Sequence, residues 1–367
     1  MTNSLRFAPI AADLPPTVPF TGPETLARRS GQPILARLGA NENGFGPSPR
    51  AIEALAAAAS EIWQYGDPDA HDLRSALAAR HGVPTDNIML GEGIDALLGL
   101  TVRLFMAPGE AVVTSEGAYP TFNYHVAGFG GALHKVPYRD DAEDPEALLA
   151  RAGEIGARLI YLANPDNPMG SWLPREQIEA MLDRLPSGAL LLLDEAYADF
   201  LPPEALPRID AEDPRVLRFR TFSKAYGMAG ARIGYVIGAA AAVAGYERIR
   251  NHFGLNRIAQ AGALAALGDQ AWLAEILARV AASRARIAAI GHASGLQALP
   301  SAANFVALDC GGDGARARRV LEGLAQRGVF VRMPGVAPLD RCIRISTGPE
   351  AAMDLLADAL PGAVASA

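Results

Sequence analysis

Thr221-Phe222-Ser223-Lys224-Ala225-Tyr226-Gly227-Met228-Ala229-Gly230-Ala231-Arg232-Ile233-Gly234-Tyr235 carries more of the reading than any other stretch of the chain. It sets a lysine beside residues suited to hold an anion. The hydroxyls of Thr221 and Ser223 precede Lys224, and Arg232 follows after a spacer of glycine and alanine. Such a set suits a phosphate dianion, because the planar guanidinium donates paired charge-assisted hydrogen bonds. A lysine amine beside a bound phosphate points to a Schiff base with a phosphorylated aldehyde. A lone S-K pair reads as readily as a surface charge. The ordered set, with Gly227, Gly230 and Gly234 between its members, favours the chemical reading.

On either side, short apolar runs alternate with helix-like spacing. The pattern predicts helices over 50–61 and 70–81, and strands over 87–90, 111–114, 133–136, 159–162, 189–193, 216–219 and 233–237. Short apolar strands separated by helices imply a mostly parallel α/β sheet covered on both faces, with ligands gathering at the carboxyl ends of the strands. Nearly every chemistry-bearing segment falls just after such a strand: 92–95, 117–119, 164–170, 194–197 and 221–224. That coincidence predicts one shared cleft. Beyond residue 271, a helix over 272–289, a strand over 304–308, a helix over 315–327, strands over 329–331 and 342–346 and a helix over 351–360 suit a smaller α+β lobe. Residues 1–39, with prolines at 9, 15, 16, 19, 23 and 33, have no helical period. They are expected to form an irregular extended arm, lying on the chain's own body or on a partner subunit.

With 367 residues, half of them hydrophobic, the chain can bury a large core and fill two lobes. A net charge of −7 without a Lys/Arg block argues against nucleic acid or an anionic membrane as the main partner. Residues 1–23 are proline-rich and lack an apolar core of signal-peptide length. The most apolar window, 233–246, is shorter than the ~18 residues expected of a spanning helix. Cys310 and Cys342 are too few for a disulfide framework, and none of the six histidines has metal-ligand spacing. The expectation is a cytoplasmic protein without a metal.

The lysine segment resembles that of fold-type I pyridoxal-phosphate (PLP) enzymes, specifically the class I/II aminotransferases and the branch that includes histidinol-phosphate aminotransferase. The resemblance continues in family order through Ala40-Asn41-Glu42-Asn43-Gly44-Phe45-Gly46-Pro47-Ser48-Pro49, Tyr65-Gly66-Asp67-Pro68, Asn164-Pro165-Asp166-Asn167-Pro168-Met169-Gly170, Asp194-Glu195-Ala196-Tyr197 and Cys342-Ile343-Arg344-Ile345-Ser346. It implies a large PLP-binding domain over 40–270 with a mostly parallel seven-stranded sheet, and a small unit made of 1–39 and 271–367.

By that resemblance Lys224 carries the Schiff base and moves the substrate proton, Asp194 faces the pyridinium nitrogen, and Tyr197 and Asn167 hydrogen-bond the phenolate oxygen. Read alone, Asp194 is a strand-end cap, Tyr197 a core tyrosine and Asn167 a turn former. Gly93, Ile94 and Asp95, opening a helix after a strand, join Thr221, Ser223 and Arg232 around the phosphate. Many relatives carry serine where Ile94 stands, so contact there is expected from the backbone alone. Tyr119 is implied to stack on the ring, and Tyr65 to reach the phosphate in a partner subunit of a homodimer with composite sites. Arg344 is implied to clamp a substrate carboxylate, Arg332 to lie near the substrate's phosphate, and Asn43 to bind substrate as well.

The family's phosphate-contacting tyrosine in the arm is Phe20 here, within Pro19-Phe20-Thr21-Gly22-Pro23, and the usual P-T-G is Pro168-Met169-Gly170. The resemblance therefore implies an aminotransferase moving an amino group between an amino acid or amino-alcohol phosphate and a 2-oxo acid, with histidinol phosphate expected not to be the best donor. Aromatic amino acids as donors, a PLP lyase or decarboxylase, and a non-catalytic PLP-binding regulator are the competing readings.

Overall fold

The computed structural model describes residues 6–15 and 20–367. Its central element is a seven-stranded sheet. In spatial order the strands are Ile88–Gly91, Gly234–Ile237, Val216–Thr221, Leu190–Asp194, Leu159–Ala163, Ala111–Ser115 and Ala132–Val136. Gly234–Ile237 runs antiparallel to both neighbours, and the other pairs are parallel. Leu159–Ala163 and Leu190–Asp194 are buried along their whole length, as strands covered on both faces must be.

Alternation along each strand divides its side chains between two cores. Leu159, Tyr161 and Ala163 pack with Phe122, Val126, Leu97 and Tyr246 on one face. Ile160 and Leu162 pack with Leu148, Ile178 and Met181 on the other. Cutting back a side chain such as Leu162, fully buried, should destabilise by about 2–5 kcal/mol, because both the transfer term and the cavity term apply. Helices Pro145–Ile155, Arg257–Gly268 and Gln270–Ala293 start where Asp144, Asn256 and Asp269 accept from backbone N–H groups of the first turn.

A second, three-stranded antiparallel sheet consists of Gln297–Ala298, Phe305–Asp309 and Cys342–Ser346. Its core gathers Ile287, Val306, Leu308, Val320, Ile343, Ile345 and Leu356 together with Ala36 and Leu38 from the N-terminal segment.

The expectation of an irregular arm without helix is corrected. Helices occupy Pro9–Ala12 and Pro23–Ser30, and Ala36–Arg37 pairs in parallel with Val329–Phe330. Pro23 supplies a helix-compatible φ at the first turn and Gly31, at φ +68°, closes the last one. Hydrophobic period missed this helix because it lies at the surface, and an Arg37 ion pair with Glu24 ties it down. Pro16 and Pro19 lie outside the described residues.

Candidate active site

The carboxyl ends of the parallel strands meet at one place, and the reversed strand brings a further residue there. Gly234 pairs with both Gly91 and Thr221, so Arg232 enters beside the turn after Ile88–Gly91 and the segment after Val216–Thr221. Gly93, at φ +86°, caps the helix Ile94–Phe105. A Cβ on Gly93 would sit 2.5 Å from Arg232 Nη2 and displace the guanidinium, in a backbone conformation that itself favours glycine. Arg232 Nη1 donates to Ala229 O at 3.1 Å and reaches Ser223 Oγ at 3.5 Å, while Nη2 lies 3.6 Å from Asp95 Oδ2. Thr221 Oγ1 donates to Ile233 O at 3.1 Å and accepts from Ser223 N at 3.0 Å. Ile94 buries its side chain in the core, and Tyr119 Oη donates to Asp95 Oδ1 at 2.7 Å. The arrangement has the donors that an anion at a helix N-terminus would need.

Asp194 ends its strand inside the protein. Its Oδ2 accepts from Tyr161 Oη at 2.7 Å and its Oδ1 from Ala196 N at 2.9 Å. Burial lifts its carboxyl from 3.8 to about 6, against the hydrogen bond from Tyr161, which pulls it down. Lys224 Nζ donates to Asn41 O at 3.0 Å and lies 5.5 Å from the centre of the Tyr197 ring. Burial, reinforced by the Arg344 charge, lowers its amine from 10.5 to about 8. Tyr197 is buried, accepts from Asn41 Nδ2 at 3.0 Å, and burial holds its phenol above the ordinary value.

Arg344 reaches across from the smaller sheet, donating to Asn167 Oδ1 and, at 3.3 Å, to Gly39 O. Arg332 and Arg344 pair through their backbones, which sets two guanidiniums on adjacent chain segments. Arg332 lies 3.9 Å from the Phe20 ring centre and donates to Thr21 O. The Nε atoms of both arginines are buried without a hydrogen-bond partner among the described residues. Burial lowers the pKa of both groups. Asn43 commits its amide to Ala225 O and Phe45 N, at 3.1 and 3.2 Å, bracing the segment after Lys224. Tyr65 stands apart, 74% exposed and stacked on Phe253 with ring centres 4.5 Å apart.

Sequence reasoning missed two residues of this site. Asn41 holds φ +53° and bonds both Lys224 and Tyr197; its position within A-N-E-N-G, an asparagine beside another turn former, was the available signal. Tyr161, an aromatic inside an apolar strand, offered none.

The family described as aminotransferase class I and II matches residues 33–360. The chain belongs to that family. Among curated relatives, histidinol-phosphate aminotransferase of Roseiflexus castenholzii is 37% identical, with 98% of each chain covered. The crystal structure of histidinol-phosphate aminotransferase from Sinorhizobium meliloti in complex with pyridoxal-5′-phosphate is 54% identical, with a TM-score of 0.96 over 100% of this chain and 99% of that one. Aspartate aminotransferase of Thermus thermophilus with maleate, 22% identical at a TM-score of 0.76 over 93% of each chain, shares the fold.

An aminotransferase of this family is a PLP-dependent transaminase, and the residues present fit that cofactor. Asp194 is a buried carboxylate that forms no ion pair among the described residues, an arrangement that a cationic ring nitrogen would relieve. The Gly93 cradle, with Thr221, Ser223 and Arg232, fits a phosphate, and Lys224 follows Ser223 directly in the chain, its amine lowered by burial to about 8.

Proposed function

We propose that the chain transfers the amino group of histidinol phosphate, or a donor of the same amino-alcohol phosphate class, to a 2-oxo acid. The observation that carries this reading is the pair of buried Nε donors on Arg332 and Arg344, both without a hydrogen-bond partner among the described residues. Two such donors suit a substrate with an anionic end. The likeness to histidinol-phosphate aminotransferases at 37% and 54% identity supports the same choice.

When bound, PLP supplies an aldehyde that takes up the amino group and a ring that withdraws electrons from the carbon losing its proton. The phosphate would be held by backbone N–H groups of Gly93, Ile94 and Asp95 together with Thr221, Ser223 and Arg232, and by Tyr65 from a partner subunit. Tyr119 would lie over the ring, and Asn167 and Tyr197 would serve its phenolic oxygen. Asp194 would hold a proton at the ring nitrogen. Lys224, with its amine lowered to about 8, is poised near neutrality to take a proton from the substrate carbon. Arg332 and Arg344 would orient the donor and the 2-oxo acid in turn, and Asn43 would hold the wall of the substrate pocket.

The Phe20 ring stacked on Arg332 favours a second reading, in which aromatic amino acids are the better donors. The test compares kcat/KM for histidinol phosphate, aromatic amino acids and glutamate in one preparation. Histidinol phosphate leading by ~100-fold, about 2.7 kcal/mol in transition-state binding, is the expected result, which reverses the expectation drawn from Phe20 in the sequence; an aromatic donor ahead of it overturns the assignment.

Residues 40–270 are assigned to a PLP-binding domain, and 1–39 with 271–367 to a small domain. Ala36 and Leu38 packing among residues of the smaller core supports that division. The assembly is assigned as a homodimer: Ile52, Ile62, Trp63, Tyr65 and Phe253 expose apolar surface close together in the chain or in contact. Light scattering at micromolar concentration checks it, and a monomer mass overturns it. The location is assigned as cytoplasmic; among the described residues no helix is long and apolar enough to cross a membrane.

A further inference from the structure

Tyr161 is fully buried in the strand Leu159–Ala163, itself buried along its whole length between Leu190–Asp194 and Ala111–Ser115. A phenol there must find a partner for its hydroxyl or lose its hydration without return. Phenylalanine would fill the same space without that requirement. Its ring stacks on Phe122 with centres 4.6 Å apart at 16°, which fixes the direction of the hydroxyl. Tyr161 pairs with Leu192 and Ala163 with Asp194, so the side chain leans along the sheet to reach the carboxylate two positions on. It donates to Asp194 Oδ2 at 2.7 Å, and the backbone N–H of Ala196 donates to Oδ1 at 2.9 Å. Each oxygen thus has one donor from the protein, and the carboxylate cannot turn without breaking one of them.

We propose that Tyr161 is a positioning residue that acts through Asp194: its hydroxyl orients the carboxylate and stabilises its ionised form, so that the proton rests on the ring nitrogen of the cofactor. The inference rests on the reading that Asp194 faces that nitrogen. Burial and the neighbouring Asp194 hold the Tyr161 phenol well above its ordinary value, so it remains a donor and keeps its own proton. Asp95 raises the Asp194 carboxyl and Lys224 lowers it, while two neutral donors, the Tyr161 phenol first and the Ala196 N–H second, favour the charged form without adding a charge.

The experiment uses holoenzyme loaded with PLP labelled with ¹⁵N in the ring, comparing wild type, Tyr161→Phe and Asp194→Ala by nitrogen NMR and by steady-state kinetics. In Tyr161→Phe the ring-nitrogen signal should move toward that of unprotonated pyridine. Its kcat should fall on the order of ten- to a hundred-fold, the range that a charge-assisted hydrogen bond commands, with KM changed by less than about threefold. An unmoved nitrogen signal in Tyr161→Phe, or a rate loss wholly recovered by excess PLP, overturns the proposal. Asp194→Ala separates the two levels. If it moves the signal and Tyr161→Phe does not, only the role of Tyr161 is lost; if neither moves it, the assignment of Asp194 to that nitrogen fails first.

Discussion

The main-chain carbonyl of Asn41 accepts a hydrogen bond from Lys224 Nζ at 3.0 Å, while the side-chain amide of the same residue donates to the Tyr197 hydroxyl at 3.0 Å. Asn41 also bonds outward. Its backbone N–H donates to Ser346 Oγ at 3.0 Å, and Asn304 Nδ2 donates to its carbonyl at 3.2 Å. One residue therefore ties the amine and the phenol of the larger sheet's site to the smaller sheet, and it does so from a left-handed backbone conformation, φ +53°.

That conformation predicts an inversion of the usual ranking. Asn41→Gly loses the amide but keeps the backbone, whereas Asn41→Ala loses the amide and adds strain of about 1 kcal/mol or more. Urea unfolding should find the alanine variant less stable than the glycine variant. The reverse order would mean that the left-handed backbone is not imposed at this position.

Asp194 should trade stability for function. Its folded-state value of about 6 exceeds the ordinary 3.8, so the folded chain binds this proton more tightly than the unfolded chain does. Stability of the cofactor-free protein therefore falls as pH rises from about 4 to about 6, and the whole cost of the buried charge remains above that range. Asp194→Asn should stabilise the cofactor-free protein at pH 8 by on the order of 3 kcal/mol. The gain should shrink toward zero as pH approaches about 4. Denaturant titrations at both pH values check the sign. In the loaded enzyme Asp194→Ala should cost ~10²-fold or more in kcat.

Gly93→Ala tests the cradle. The added Cβ would lie 2.5 Å from Arg232 Nη2 in a backbone region that alanine resists. PLP affinity should drop about tenfold or more, as expected when an anion site loses a charge-assisted contact. The far-ultraviolet circular dichroism should be retained. Unchanged affinity would place the phosphate elsewhere.

Subunit mixing tests the composite site. Tyr65 is exposed, and its ring packs on Phe253. Joining a Lys224→Ala subunit to a Tyr65→Phe subunit should create one site with both lesions and one with neither. Mixtures should then exceed the mean activity of the parents. Activity at the mean, once exchange has been verified, would assign Tyr65 to its own chain.

Legibility in the sequence followed the range of the interactions. Lys224, Thr221, Ser223 and Arg232 are close in the chain, so their chemical types alone pointed to an anion site. The alternation of buried strands and helices was equally readable, since the period of apolar residues reports directly which face is buried. The helix Pro23–Ser30 escaped that signal because its start and stop residues were present without a buried face behind them. Asn41 and Lys224 are 183 positions apart, and Arg344 meets Asn167 across 177. Contacts of that kind arise only when two sheets pack with a particular register, and no local preference encodes them. Tyr161 makes the limit plain. A tyrosine and a phenylalanine are alike to a hydrophobic pattern; only the folded sheet, by placing Asp194 at 2.7 Å from its hydroxyl, makes the difference between them chemical.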